Sequence, residues 1–323
     1  MADPSNSDFD PTPLALYAGR SPIAPAWFNA AIATPFEEHF VEVSGASVRY
    51  QLWGDGGKPG LLLVHGNGAH AHWWDFIAPF LIEDFQVAAM TFSGMGDSEW
   101  RDAYSLQGFA DEQMAVLKHA GFFDLCQKPM ICAHSFGGFA TFLVAVQHGD
   151  RLGGTITVDT RVNPPGRAQV TTPKRPRGNR VYPTLPAALA RFRLAPPQPC
   201  ENHFIMDHIA RHSLKEATGD RGDMGWAWKF DPHIWQNFSG MEDPGALLRA
   251  IGCRTAIIHG EQSSLMGEDV RRFMLECLGN QVPFISIPQA QHHVMLDQPL
   301  AFVAALRTVL AEWRYSVSVR VQP

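Results

Sequence analysis

The chain of 323 residues contains no apolar run approaching the roughly 18 residues needed to cross a bilayer, so no membrane span is expected. It also lacks a basic excess: 26 Lys and Arg stand against 32 Asp and Glu, for a formal net charge of -6. Without that excess there is no electrostatic reason to expect nucleic acid as a partner. Cysteine is sparse. Cys126, Cys132, Cys200, Cys253 and Cys277 are scattered, odd in number and never in a C-x-x-C pair. They read as reduced, mostly buried thiols, not as a disulfide framework or a structural zinc site. The opening MADPSNSDFDPTP has neither the basic start nor the apolar core of a secretory signal, so the expected location is the cytoplasm. Gly94-Met95-Gly96 is too short for a dinucleotide fingerprint. Of the 14 histidines, His70 and His72 suggest little, and His208 and His212 stand at i, i+4 without the glutamate of the metalloprotease arrangement. Neither a cofactor nor a metal is expected.

What is present is an alternation of strand and helix signals. Two strand-like runs, His39–Val43 and Ser47–Trp53, come first; the second alternates apolar and polar side chains like an exposed antiparallel strand. Continuous apolar runs then end in small-residue loops: 60–64 before His65-Gly66-Asn67-Gly68, 86–92 before Ser93-Gly94-Met95-Gly96, and 130–133 before His134-Ser135. Such runs suit strands buried on both faces of a parallel sheet. Helical patterns at 72–83 and 106–120 lie between them, which implies βαβ units. The rhythm continues with a strand at 155–158 ending at Asp159. It resumes late with strands at 254–258 and 283–287 and helices at 268–277 and 300–313. The stretch 161–244 breaks it. That stretch carries many prolines, a basic run at 174–180, three tryptophans (Trp226, Trp228 and Trp235) and helical patterns at 185–192 and 201–216. The expected organisation is an N-terminal extension over 1–34, an α/β core over 35–160 and 245–323, and a mostly helical insertion over 161–244.

The sharpest chemical signal is Ala133-His134-Ser135-Phe136-Gly137, a G-x-S-x-G elbow with alanine in the first glycine position. A serine on a tight strand-to-helix turn is held in a strained, exposed position, and the small residues two before and two after it avoid the neighbouring backbone. The following helix points its N-terminal N–H groups toward the site.

With this elbow stand His65–Gly68, Ser93-Gly94-Met95-Gly96-Asp97-Ser98 and Ala290-Gln291-His292-His293-Val294-Met295-Leu296-Asp297-Gln298-Pro299. Together they resemble the α/β-hydrolase family from about Val41 to Trp313. The resemblance implies a mostly parallel central sheet flanked by helices, with 161–244 as the cap. It also implies a serine nucleophile at Ser135 and a base at His292, with the neighbouring His293 as the rival position. Members take the acid from one of two places. In the loop after the 254–258 strand, a serine occupies the place of the expected aspartate and Glu261 is the nearby acid; at the end of the 155–158 strand stands Asp159. Asp159 is preferred and Glu261 is the alternative. The backbone N–H groups of Asn67 and Phe136 are the implied oxyanion hole, and Trp226, Trp228 and Trp235 are candidates to line a substrate pocket. The expected activity is hydrolysis of a small to medium carboxylic ester. A lactonase or carbon–carbon bond hydrolase is the alternative, and a cofactor-free lyase or a non-catalytic binding protein is less favoured. The expected partner is a small-molecule ester, with homo-oligomerisation left open.

Overall fold

The computed structural model describes residues 12–125, 127–167, 180–219 and 222–315. Cys126 and all of the basic run 174–180 except Arg180 lie outside them. The main sheet has eight strands, numbered here in chain order: β1 Glu37–Val43, β2 Ala46–Trp53, β3 Gly60–Val64, β4 Gln86–Met90, β5 Met130–His134, β6 Gly154–Val158, β7 Thr255–Gly260 and β8 Phe284–Ile287. Their order across the sheet is β1-β2-β4-β3-β5-β6-β7-β8. β2 pairs antiparallel with β1 and β4, and every other neighbour is parallel. β3, β5, β6 and β7 are buried at every residue. Layers on both faces cover them, so their sequences carry no polar alternation.

The topology places the chemistry. From β3 the chain crosses to β4 on one side, then returns to β5 on the other. The carboxyl ends of β3 and β5 therefore flank the crevice where an open α/β sheet binds its ligands. The His65–Gly68 loop and Ser135 sit at those two ends. Asp159 follows β6 and Glu261 follows β7, one and two strands further along.

Three expected elements differ in detail. The 47–53 run is an interior strand, not an exposed one. Arg49 and Gln51 on its polar positions are buried, because neighbours supply partners: the Arg49 guanidinium pairs with Glu38 at 2.5 Å and Gln51 meets His72 at 3.1 Å. The helical pattern at 72–83 resolves into two 3-10 turns, Ala71–Trp74 and Ala78–Phe80. Pro79 opens the second turn and has no N–H to continue a helix from the first. The pattern at 201–216 stops as a helix at His212, here α1 (His203–His212), and Leu214–Thr218 pairs with Met224–Trp228 as an antiparallel hairpin. The Ser213 hydroxyl donates to the Ile209 carbonyl and so satisfies a helix-end acceptor where the chain leaves the helix.

The part of the extension described here packs down. Trp27 and Phe28, on the helix Ala26–Ile32, set their rings against Phe204 of α1 at 6.2 and 4.9 Å. The 161–244 stretch is also tied to the loops of the sheet through Asp231. Asp231 N–H donates to the Gly94 carbonyl, and the Asp231 carboxylate accepts from Tyr104 at 2.7 Å. Gly94 has φ +78° and a Cβ there would lie 2.7 Å from the Tyr104 hydroxyl, so this loop requires glycine. No described helix is long and apolar enough to cross a membrane.

Candidate active site

Ser135 stands between β5 and the helix Phe136–His148 with φ 51° and ψ -120°. Non-glycine residues occupy such angles at a cost of about 1–3 kcal/mol, and only when the surroundings enforce them. Here its N–H donates to the Val158 carbonyl at 2.8 Å, and its carbonyl accepts from Gly138 N–H at 3.0 Å and the Thr160 hydroxyl at 2.9 Å. The flanking glycines answer to close contacts. A Cβ on Gly137 would lie 2.4 Å from the His65 carbonyl oxygen, and one on Gly138 would lie 2.1 Å from the Thr160 hydroxyl. On the opposite wall, a Cβ on Gly66 would come within 3.1 Å of the Ser135 Cβ.

His65 holds that wall in shape. Its Nδ1–H donates to the Gly66 carbonyl at 2.6 Å, and its Nε2 accepts from Phe92 N–H at 3.0 Å. Burial drops its pKa to about 4, which keeps the ring neutral and preserves this tautomer. Asn67, next in the turn, is exposed. Phe136 begins the helix after Ser135, so its N–H has no intrahelical partner. Its ring is buried against Phe109 at 5.6 Å and Trp235 at 5.0 Å.

Asp159 is fully buried, and all of its described partners are donors. Its Oδ1 accepts from His292 Nδ1 at 2.8 Å and from the Ser263 hydroxyl at 2.7 Å, and its Oδ2 accepts from Gly260 N–H at 2.9 Å. Ser263 lies where the resemblance would have placed an aspartate; here it serves the carboxylate that reaches in from β6. Glu261, the alternative acid, is exposed, and its carboxylate accepts from Gln289 N–H at 3.1 Å. It braces the turn before the histidines and does not reach His292 in any described contact.

His292 and His293 have different surroundings. His292 is the ring held by Asp159. The His293 ring packs against Trp73 at 5.4 Å, with both ring nitrogens buried and without a hydrogen-bond partner among the described residues. Burial and the neighbouring histidines hold its pKa well below the usual histidine range. His134, immediately before Ser135, donates from Nε2 to the His292 carbonyl at 3.0 Å, with the two rings 4.8 Å apart. It fastens the base loop to the elbow. From the cap, Gln198 accepts from His293 N–H at 3.1 Å and donates to both oxygens of Asp297 at 2.9 Å. Asp297 also accepts from Gln291 N–H at 2.7 Å. Burial nevertheless pushes its pKa up to about 6.

Ser263, His134 and Gln198 were not identifiable as site residues from sequence. Ser263 showed only as a departure from the expected acid, and Gln198 lies in the proline-rich insertion far from every motif. Of the three candidate pocket tryptophans, Trp235 meets Phe136. Trp226 and Trp228 fall on the cap hairpin, where the Trp226 backbone pairs with Tyr182 and the Trp228 ring meets Phe192 at 6.1 Å. Both also pack against the hydrophobic cluster that includes Trp73 and Val294.

A family model described as the alpha/beta hydrolase family matches residues 61–306. The chain belongs to this family. Among curated proteins, the esterase Rv0045c of Mycobacterium tuberculosis is 24% identical over 282 residues, covering 83% of this chain and 88% of its own. Its crystal structure superposes with a TM-score of 0.63 at 18% identity over 95% of this chain and 99% of that one. A fluoroacetate dehalogenase of Burkholderia is 27% identical over 36% of this chain and 38% of its own length. The pimeloyl-[acyl-carrier protein] methyl ester esterase of Edwardsiella ictaluri is 32% identical over 32% of this chain and 36% of its own.

Proposed function

We propose that this protein hydrolyses small to medium carboxylic esters through an acyl-enzyme on Ser135. The observation that carries the reading is the 2.8 Å bond from His292 Nδ1 to a buried Asp159, in a loop fastened by His134 to the strained elbow that presents Ser135. With Nδ1–H committed to Asp159, Nε2 is left bare to accept a proton, which is the tautomer a general base needs. Two of the relatives are named as esterases, which supports esters as the bond class. Haloalkane dehalogenases and epoxide hydrolases resemble this architecture but use an aspartate nucleophile; the serine at 135 argues for acyl transfer here.

In this mechanism His292 takes the Ser135 hydroxyl proton as the oxygen attacks the ester carbonyl. Asp159 orients the ring and stabilises its charged form. The N–H groups of Asn67 and Phe136 receive the oxyanion, a contribution of roughly 3–4 kcal/mol for a single donor in enzymes of this type. Collapse expels the alcohol with the proton from His292, and water then repeats the sequence on the acyl-enzyme. The cap covers the crevice mouth and sets substrate size. Its aromatic contact at Phe136 and Trp235 favours an apolar or aromatic acyl group.

The test is hydrolysis of p-nitrophenyl esters of increasing acyl length by the wild type and by Ser135→Ala. Turnover that falls by about 10⁵-fold or more in the variant supports the acyl-enzyme. Folded wild type that turns over none of the series, or a variant that retains most of the rate, overturns it.

A further inference from the structure

The geometry points to a second functional centre: we propose that His72, Asp75, His208 and His212 form a binding site for one divalent transition-metal ion, zinc in the first instance, that pins the cap to the core. The two halves come from different layers. His72 and Asp75 belong to the 3-10 turn after the β3 loop, whereas His208 and His212 lie one turn apart on α1 of the cap. One ligand atom from each of the four lies within 4.8 Å of all the others. The i, i+4 pair was unremarkable in sequence because its partners are more than 130 residues away.

Three features distinguish this cluster from an ordinary buried network. The first is burial: the side chains of His72, Asp75 and His208 are 9%, 7% and 12% exposed. The second is incomplete satisfaction. Asp75 Oδ2 meets both His72 Nδ1 and His208 Nε2 at 2.8 Å, while Asp75 Oδ1 is buried with no hydrogen-bond partner among the described residues, which is costly for a carboxylate. The third is the orientation of lone pairs. His212 Nδ1–H donates to the His208 carbonyl at 2.9 Å, so its Nε2 is bare. His72 Nδ1 lies 3.1 Å from the Gln51 amide nitrogen, a donor, as well as 2.8 Å from Asp75 Oδ2. His72 Nδ1 is thus shared between two neighbours: it can give its proton to Asp75 or accept from Gln51, and a cation between His72 and Asp75 would leave Gln51 as the donor. The competing arrangement is a proton on Nδ1 with the Gln51 amide turned over.

Three imidazoles and one carboxylate are a borderline-soft, four-donor set suited to tetrahedral zinc and to its neighbours in the first transition row. Ligand atoms around such an ion stand about 3.3 Å apart, so the pairs at 2.8 Å would open slightly and the wider ones close by side-chain rotation. Gln51 would then hold the first ligand ring from outside. The ion would cross-link α1 to the turn that carries Trp73, whose ring packs on His293 beside the base.

The experiment is zinc titration of the chelator-stripped full chain, with bound zinc counted after gel filtration and the melting temperature recorded with and without zinc. The expected result is one zinc per chain and a rise in melting temperature of about 5 °C or more at saturating zinc. His212→Ala should weaken binding at least about tenfold and His293→Ala should not. Cobalt(II) bound to the wild type should show the intense visible absorption of a four-coordinate ion, a readout that needs no variant to fold. Absence of retained zinc, a pale six-coordinate cobalt spectrum, or zinc lost in His293→Ala but kept in His212→Ala would each overturn the proposal. The last outcome would assign the ion to the histidines beside Ser135.

Discussion

Two histidine clusters lie along the seam between cap and core, and they differ in how their carboxylate is treated. At the first, Asp159 receives a backbone N–H, a hydroxyl and a single imidazole, with both oxygens engaged. At the second, Asp75 meets two imidazoles on one oxygen, and its other oxygen has no partner among the described residues. A fully satisfied carboxylate has one job left, to fix and stabilise one ring. A half-satisfied carboxylate between rings keeps coordination capacity in reserve. In the readings proposed above, the first carboxylate orients a base and the second would hold an ion, although burial and residue type are nearly the same.

The largest expected effect breaks the first cluster. Asp159→Asn should lower kcat by about 10⁴-fold in ester hydrolysis while the melting temperature changes little by comparison, because the wrong tautomer of His292 faces the nucleophile. Steady-state kinetics on p-nitrophenyl esters checks this. Ser263→Ala should follow at about tenfold to a hundredfold in kcat with KM little changed, since one hydrogen bond to a charged group is lost. Ser263→Thr, which keeps the hydroxyl, should recover most of the rate; failure of that rescue would reduce Ser263 to a packing residue. At the second cluster Asp75→Asn should be read in stability. The metal-free variant should lose about 1–3 kcal/mol in denaturant unfolding, the range for leaving buried partners unmatched.

The smallest effect concerns the tether between the first cluster and the cap. The Asp297 carboxyl titrates near 6 in the folded protein against an ordinary 3.8. Its folded value is raised, so the stability linked to its protonated form is complete below about pH 4 and lost as the pH rises through about 6. The stability of Asp297→Asn relative to wild type should therefore increase by about 1–2 kcal/mol between pH 4 and pH 7. Urea unfolding at the two pH values checks this, and a flat difference would remove Asp297 as the titrating group.

Much of this was legible in the chain. The buried strands of the sheet are continuous apolar runs, so β3, β5, β6 and β7 could be located within a residue or two, and 268–277 matched its helix at both ends. The elbow is local too: its small residues lie within three positions of Ser135. Legibility failed where polar side chains are buried by distant partners. Ser47–Trp53 read as exposed because nothing local shows that Gln51 meets His72. The cap hairpin was missed because the Leu214–Thr218 pattern follows a helix without a break.

The sequence alone located the core strands, the elbow at Ser135 and the short list of candidate acids and bases, because these rest on hydrophobic period and on spacing within a few residues. Only the tertiary structure decided among those candidates. It set Asp159 rather than Glu261 against His292, brought Gln198 to the base loop, and joined His72 and Asp75 to His208 and His212. Each of those pairings spans more than 90 positions and depends on strand order and cap docking. Hydrogen-bond geometry acts over about 3 Å, a distance that separation along the chain does not encode.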